Sequence, residues 1–174
     1  MSYQQLYETM VVNPNKVSKA KGLADKIISN KERYLQVEAA TKVPWYIIGV
    51  IHYRESSNSF TRHLHNGDPL AAKTFHVPAG RPLKGNPPFT WEESAIDALK
   101  LTGLTAVTDW SIENMLTRLE KYNGLGYKKK GLPSPYVWSW SNNYKAGKYV
   151  ADGKFDPNVV DAQCGVAVLL KYLI

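Results

Sequence analysis

The sequence predicts an α+β fold that is mostly helical, and two features of the chain support that prediction. Over most of the chain, apolar residues recur every three or four positions, which is the period of an amphipathic helix. Residues 60–90 break this period: they hold five of the ten prolines, and Asn66-Gly67 is a strong signal for a hairpin turn. Because 174 residues suit one domain, we predict a single domain, residues 1–174, in which a small β-hairpin and loop at 60–90 form an insertion that lines a cleft.

The positions of the helices follow from apolar stripes and end signals. The first forty residues indicate helix, with the closest i, i+3, i+4 spacing between Ala20 and Ile28. Thr90-Trp91-Glu92-Glu93 matches a capping box and opens a helix that continues to Leu101. The other predicted helices are an amphipathic one at residues 111–122, a partly helical aromatic stretch at 136–149, and a last helix that opens at Asp156-Pro157 and carries Val159 to Leu170.

Residues 41–53 differ from the other helices because they are apolar on every face of the helix. Such a helix lies at the centre of its domain, and His52 within it is expected to be a hydrogen-bonded core histidine. Arg54 and Glu55 end the helix, where burial and the negative end of the helix dipole both raise the pKa of a carboxyl group. A general acid needs a raised pKa, so we predict that Glu55 donates a proton in catalysis. The alternative is that Glu55 pairs with Arg54 or caps a surface feature.

Two motifs relate the sequence to a known group of enzymes. Residues 43–60, VPWYIIGVIHYRESSNSF, resemble the segment of the lysozyme superfamily in which an apolar helix ends in a Glu-Ser pair, here Glu55-Ser56. Goose-type lysozymes and soluble lytic transglycosylases of this superfamily also carry a Tyr-Asn-x-Gly element, to which Tyr122-Asn123-Gly124-Leu125-Gly126-Tyr127 is similar. The segment from His63 to Ala95 further resembles phage and bacterial lysozyme-like proteins. The resemblance therefore covers most of the chain, from about Tyr34 to Leu170.

This resemblance implies a lysozyme-like fold and a glycosidase that cleaves peptidoglycan. Glu55 would protonate the glycosidic oxygen of the alternating N-acetylmuramic acid and N-acetylglucosamine backbone, and water would complete the hydrolysis. Ser56 would contact the substrate, while Tyr122 and Asn123 would border the acid and hold an N-acetyl group. The alternative is a lytic transglycosylase, in which the C6 hydroxyl of the substrate replaces water and leaves an anhydro sugar.

The resemblance also implies a second carboxylate in the hairpin. Phage lysozymes follow the catalytic Glu with an Asp and, six residues later, a Thr; Asp68 and Thr74 reproduce that interval. Thirteen residues separate Glu55 from Asp68, which is more than in those enzymes. Asp68 would act as base or electrostatic partner, and Thr74 would position the attacking water. The alternative is that Asn66-Gly67-Asp68-Pro69 is only a turn, since goose-type enzymes and transglycosylases manage with the single Glu.

Further side chains are candidates for contact with a sugar. His65 lies in the insertion, and Trp138 and Tyr144 follow a Gly-rich loop at spacings that would line one wall of a cleft. Core packing explains the two aromatic residues equally well. His63, His65 and His76 could bind zinc, but no His-Glu-x-x-His helix or cysteine partner accompanies them, so we expect them to hydrogen-bond a sugar or to support the loop. We therefore predict no metal and no cofactor.

Composition limits the partners. Twenty-two Lys and Arg against fifteen Asp and Glu give a net charge of +7, which favours nucleic acid, an anionic membrane or the bacterial cell wall. The basic residues are scattered and no nucleic-acid motif is present, so we expect peptidoglycan and not nucleic acid as the partner. The longest apolar run, residues 43–51, is half the length of a membrane span, which predicts no stable membrane insertion.

The remaining expectations concern location, assembly and class. Residues 1–10 lack the apolar stretch of a signal peptide, so we expect a monomer that stays in the cytoplasm until it is released to the cell wall. Cys164, the one cysteine, excludes an internal disulfide and is expected in the core. A non-catalytic binder of cell wall or nucleic acid is the alternative from another class, although a binder has no need of a carboxylate at the end of a buried helix.

Overall fold

The computed structural model describes all 174 residues. About half of the chain is helical and two short strands form an antiparallel sheet, which confirms the predicted α+β class. The elements are helices α1 (Tyr3–Glu8), α2 (Val17–Ser29), α3 (Lys31–Thr41), α4 (Trp45–Ser56), α5 (Trp91–Leu101), α6 (Ile112–Asn123), α7 (Gly126–Lys129), α8 (Pro135–Trp138) and α9 (Val166–Leu173), strands β1 (Lys148–Ala151) and β2 (Lys154–Asp156), and 3₁₀ turns at Pro14–Lys16 and Leu104–Ala106.

The chain divides into two compact units. One consists of Lys26–Thr108, and the other combines Met1–Asp25 with Asp109–Ile174. The predicted insertion at residues 60–90 lies wholly within the unit Lys26–Thr108, and the prediction of a single domain stays a prediction. No helix in the chain has both the length and the apolar character that crossing a bilayer requires.

Helix α4 is the buried helix of the unit Lys26–Thr108, as its sequence predicts. Every residue from Ile47 to Tyr53 is buried, and α3 packs against both α4 and α5. The capping box at the start of α5 also forms: the Thr90 hydroxyl accepts from the N–H of Glu93, and the Glu93 carboxylate accepts from the N–H of Thr90. These local signals place the helices that surround α4.

The predicted hairpin at residues 60–90 is wrong in one respect, because no β-strand forms there. A single antiparallel bridge joins Arg62 to Pro69, and the two-stranded sheet is formed by β1 and β2 instead. Five prolines in residues 60–90 explain the difference, since proline has no N–H to donate to a ladder. The Asn66-Gly67 turn itself does form, with the N–H of Gly67 donating to the carbonyl of His63.

In the other unit, α6 packs against α1 and α8, and α8 packs against α9. The last helix begins at Val166, later than the sequence predicts. Polar groups that precede it are engaged elsewhere: the buried Asp161 carboxylate accepts from Lys148 at 3.0 Å, and the N–H of Asp161 donates to the Tyr144 hydroxyl. These bonds hold an irregular backbone that a longer helix would disrupt.

Candidate active site

Glu55 lies in the last turn of α4, one residue before the helix ends at Ser56. Ser57 and Asn58 adopt left-handed backbone conformations, with φ of 53° and 60°, which end the helix and reverse the chain. The Asn58 side-chain amide then donates to the carbonyl of Gly49 and ties the reversed chain back to the helix. Glu55 and Ser56 are half-buried, so both residues reach solvent.

A buried hydrogen-bond network lies under this helix end. The fully buried His52 donates from Nε2–H to the carbonyl of Ser59, so its Nδ1 accepts from the Tyr34 hydroxyl. Burial lowers the pKa of His52 to about 4 and raises the pKa of Tyr34, so both groups are neutral near pH 7. His52 is therefore the core histidine that the sequence predicts. The hydroxyl of Ser56, a predicted substrate contact, lies within hydrogen-bond distance of the His52 and Ser59 carbonyls.

The Asn66-Gly67 turn packs directly against Glu55. Gly67 has a φ of +83°, and a side chain at this position would collide with the backbone carbonyl oxygen of Glu55. Arg62 Nη1 donates to the carbonyl of Gly67 at 3.0 Å, and the Asn66 side-chain oxygen accepts from the N–H of Asp68 at 2.9 Å. The structure therefore brings the turn that carries Asp68 against the residue predicted to be the acid.

The Asp68 carboxylate is directed into its own loop. Its Oδ2 accepts from the N–H groups of Phe75 and His76, both at 2.9 Å, and its Oδ1 lies 2.7 Å from His76 Nδ1. Burial by itself would raise the pKa of Asp68, but the bonds from His76 and Phe75 hold that pKa below its usual value. Since Asp68 is only 4% exposed, its contacts are those of a loop anchor, and its predicted role as base or electrostatic partner finds no support in them.

Thr74 closes the loop that follows, residues 74–81. Its hydroxyl donates to the carbonyl of Pro78 at 2.6 Å and accepts from the N–H of Arg81 at 2.9 Å. A hydroxyl has a single proton, so in this arrangement Thr74 has none left with which to orient a water. Thr74 and Asp68 are brought together, as anchors of the same loop, and the predicted role of Thr74 toward water is not supported.

His65, expected to contact a sugar, is instead a core residue. Its side chain has no exposed surface, and Nε2 lies 2.7 Å from Asp97, which also accepts two bonds from the Arg81 guanidinium. Burial lowers the pKa of His65, although the hydrogen bond to Asp97 opposes the shift. Ser94 lies 3.4 Å from Nδ1 of this ring, but Ser94 is fully buried and its hydroxyl donates to His63, so these residues do not form a nucleophilic triad.

The three histidines of residues 60–90 differ in their nearest side-chain partners, although Ser94 also lies 3.4 Å from His65. These partners are Ser94 for His63, Asp97 for His65 and Asp68 for His76. No group of three or more His, Cys, Asp or Glu side chains in the chain is placed to hold a metal ion.

Two predicted contacts of the N-acetyl group lie at the end of α6, in the other unit. Tyr122 is half-buried, and Asn123, the last residue of the helix, is exposed. The chain leaves the helix at Gly124, whose φ of 110° is open to glycine and strained for other residues. Both side chains therefore present surface to which a ligand has access.

Trp138 and Tyr144 have the contacts of core residues. They are 2% and 6% exposed, and Cys164 is fully buried, as expected. The Trp138 ring stacks with Tyr3 at a centroid separation of 6.2 Å, and the Tyr144 hydroxyl donates to the carbonyl of Gly147 at 3.0 Å. Of the two interpretations that the sequence leaves open for these aromatic residues, the structure favours core packing over stacking on a sugar.

Sequence reasoning named His76 among the loop histidines but missed Phe75, with which it forms an exposed aromatic pair in the loop of residues 74–81. Phe75 is 63% exposed and the His76 side chain is 71% exposed, and their ring centroids lie 4.4 Å apart. An isolated pair in a proline-rich loop leaves no periodic signal, so only the irregular composition of residues 60–90 pointed to this region.

Comparisons of the chain with protein-family models, with curated proteins and with solved structures find no match. The candidate site is therefore characterised by its geometry alone. It consists of a half-buried carboxylic acid residue at the end of a buried helix, against which a tight turn packs.

Proposed function

We propose that this chain is a peptidoglycan-cleaving glycosidase of lysozyme-like fold and that Glu55 is its general acid. The observation that carries the proposal is the setting of Glu55. This residue is half-buried at the end of a buried helix, and the Asn66-Gly67 turn packs on its backbone. Contacts of this kind fix the backbone of Glu55, and proton transfer to a leaving oxygen depends on the position of the acid that this backbone carries.

In the proposed reaction Glu55 donates its proton to the glycosidic oxygen while the bond to the anomeric carbon breaks. Positive charge develops on the sugar ring in an oxocarbenium-like transition state. The network under Glu55, formed by His52 and Tyr34, is neutral near pH 7 and adds no positive charge that would oppose this step. Water then adds to the anomeric carbon and completes the hydrolysis of the glycan strand.

The contacts of Asp68 and Thr74 favour a lytic transglycosylase as a second candidate. A hydrolase of the two-carboxylate type uses its second carboxylate on a water or on the sugar, whereas Asp68 accepts three bonds from its own loop. One Glu suffices where the C6 hydroxyl of the substrate attacks the anomeric carbon. Mass spectrometry of the released fragments distinguishes the candidates, because hydrolysis adds one water at each cleaved bond and transglycosylation leaves an anhydro sugar.

Clearing of a purified peptidoglycan suspension tests the proposal. We expect Glu55→Gln to lower the rate about 10²–10⁴-fold, because the amide keeps the shape of the acid but supplies no proton. Glu32→Gln is the matched control, since Glu32 is an exposed residue of α3, and it should clear the suspension at the parental rate. If Glu55→Gln kept more than about a tenth of the rate, Glu55 would not be the acid. A parent chain that binds peptidoglycan without clearing it would be a non-catalytic binder.

A further inference from the structure

The loop of residues 74–81 presents two aromatic rings to solvent. Phe75 and His76 are 63% and 71% exposed, and the following Val77 is exposed as well. A single apolar side chain at a protein surface is ordinary, but adjacent ones on a firmly held loop mark a contact surface. Neither Phe75 nor His76 has a role in the chemistry proposed for Glu55.

Buried polar side chains hold the backbone of the loop of residues 74–81. Asp68 accepts from the N–H groups of Phe75 and His76, and the Asn66 amide donates to the carbonyl of His76 at 3.1 Å. Thr74 ties the two ends of the loop together. Because Asp68 and Thr74 are buried while the rings stay in solvent, the fold presents the rings in a fixed position before any ligand arrives. Such preorganisation lowers the entropy lost on binding.

Asp68 also determines which nitrogen of His76 is available to a ligand. Its Oδ1 lies 2.7 Å from His76 Nδ1, so this nitrogen carries a proton and donates it to the carboxylate. Nε2 is then the ring nitrogen left to a ligand, on a side chain that is 71% exposed. A sugar hydroxyl both donates and accepts, so it matches Nε2 whether or not that nitrogen carries a proton.

We propose that Phe75 and His76 form a sugar-contacting platform for the glycan that Glu55 cleaves, with Asp68 as its positioning residue. The identity of this glycan rests on the proposed function. The Phe75 ring offers its face to the apolar face of a pyranose, and His76 Nε2 hydrogen-bonds a sugar hydroxyl. The anchor Asp68 directly follows Gly67, which packs against Glu55.

The charges of the residues around this loop are compatible with a peptidoglycan ligand. Residues 69–91 contain no Asp or Glu and include Lys73, Arg81 and Lys84. N-acetylmuramic acid carries a carboxylate where no stem peptide is attached to it, and this carboxylate meets no like charge along this stretch.

Binding is best measured with the Glu55→Gln chain, which holds the glycan without cleaving it. The probe is a soluble peptidoglycan fragment of alternating N-acetylglucosamine and N-acetylmuramic acid, titrated by calorimetry. We expect Phe75→Ala and His76→Ala each to raise Kd about threefold to tenfold, because each removes one contact. Phe75→Trp should leave Kd at the value of the Glu55→Gln chain, because Trp retains an aromatic face. Leu101→Ala, at an exposed apolar position of α5, is the matched control and should leave Kd unchanged.

Kinetics separate contact with the substrate from a structural role. In the cleaving parent, Phe75→Ala and His76→Ala should raise KM and leave kcat unchanged, because the platform binds the ground state and the transition state alike. A structural defect would lower Tm and kcat as well. Asp68→Asn should raise Kd in the Glu55→Gln chain, since the Asn oxygen still accepts from the N–H groups of Phe75 and His76 but the bond to the His76 ring is lost. For the same reason it should add nothing once His76→Ala is present.

Failure of the platform and failure of the glycosidase give different results. If the parent clears no peptidoglycan while Phe75→Ala and His76→Ala still weaken binding, the platform stands and the proposed function falls. If the parent clears peptidoglycan and neither variant changes KM or Kd, the platform is overturned. It is likewise overturned if these variants lose binding to phosphatidylglycerol vesicles and keep binding to the glycan, which would make the loop a membrane contact.

Discussion

Replacing Gly67 by Ala tests whether the Asn66-Gly67 turn is fitted to Glu55. At a φ of +83° an L-residue costs about 1–2 kcal/mol relative to glycine. The new methyl group would also collide with the carbonyl oxygen of Glu55. Because that neighbour is backbone and not a flexible side chain, the turn has to move, and overpacking of this kind costs about 1–3 kcal/mol. Together the two effects should lower the free energy of unfolding by about 2–5 kcal/mol.

Gly103→Ala is the matched control for the backbone conformation. Gly103 has a φ of +76°, and no other part of the protein lies within 4 Å of the position its methyl group would take. The control should therefore lose only about 1–2 kcal/mol. Urea unfolding of the two variants isolates the collision, and we expect Gly67→Ala to be the less stable by about 1–3 kcal/mol.

The movement of the Asn66-Gly67 turn in Gly67→Ala should also slow catalysis. A shift of about 1 Å in the position of a catalytic group costs on the order of 10²-fold in rate, so Gly67→Ala should clear peptidoglycan more slowly by about that factor. Gly103→Ala should clear it at the parental rate. Equal unfolding free energies together with equal clearing rates for the two variants would refute the argument that the contact with Glu55 requires glycine at position 67.

Two further predictions concern α4. The pKa of His52 is about 4 in the folded chain against 6.5 ordinarily, so the unfolded chain takes up the proton first and stability falls as the pH drops from 6.5 to about 4, by up to about 3 kcal/mol. An NMR titration of the His52 ring checks this, and a midpoint near the ordinary value would contradict it. Gly49→Ala would press a methyl group into Ile27 and should lower the free energy of unfolding by about 1–3 kcal/mol. Gly22→Ala, which meets open space on α2, should raise it by up to about 1 kcal/mol, and thermal unfolding that ranks the pair in the opposite order would exclude close packing at Gly49.

Helices α4 and α5 could be predicted from the sequence because each depends on signals within its own residues. The stretch 41–53 is apolar on every face, and this alone places it in a core. The Thr90-x-x-Glu93 pattern likewise contains both partners of the capping box that begins α5. Neither prediction requires knowledge of which distant residues pack against the helix.

The sheet was predicted at the wrong place because a turn signal does not by itself make strands. Asn66-Gly67 forms its turn, but Pro69, two residues after Gly67, has no N–H to donate to a ladder. Asp152-Gly153 is a turn signal of the same kind, and the residues that flank it are free of proline. There the strands do form, with Tyr149 opposite Phe155. Comparing the flanks of both turns would have identified the correct hairpin.

Asp68 shows that spacing in the sequence can predict which loop holds a carboxylate, but not the direction in which its oxygens point. The interval from Asp68 to Thr74 predicted a catalytic pair, and the structure places both residues in one loop, where the direction of the Asp68 carboxylate is fixed by the N–H groups of Phe75 and His76. In the proposed platform, Asp68 acts on a ligand through the loop and the His76 ring, and not through its own oxygens. It follows that a loss of activity in Asp68→Asn would not identify a catalytic base. Only an effect that persists when Phe75 and His76 are both replaced by Ala would do so, because Asp68 positions both residues and a positioning residue has no further effect once the groups it positions are gone.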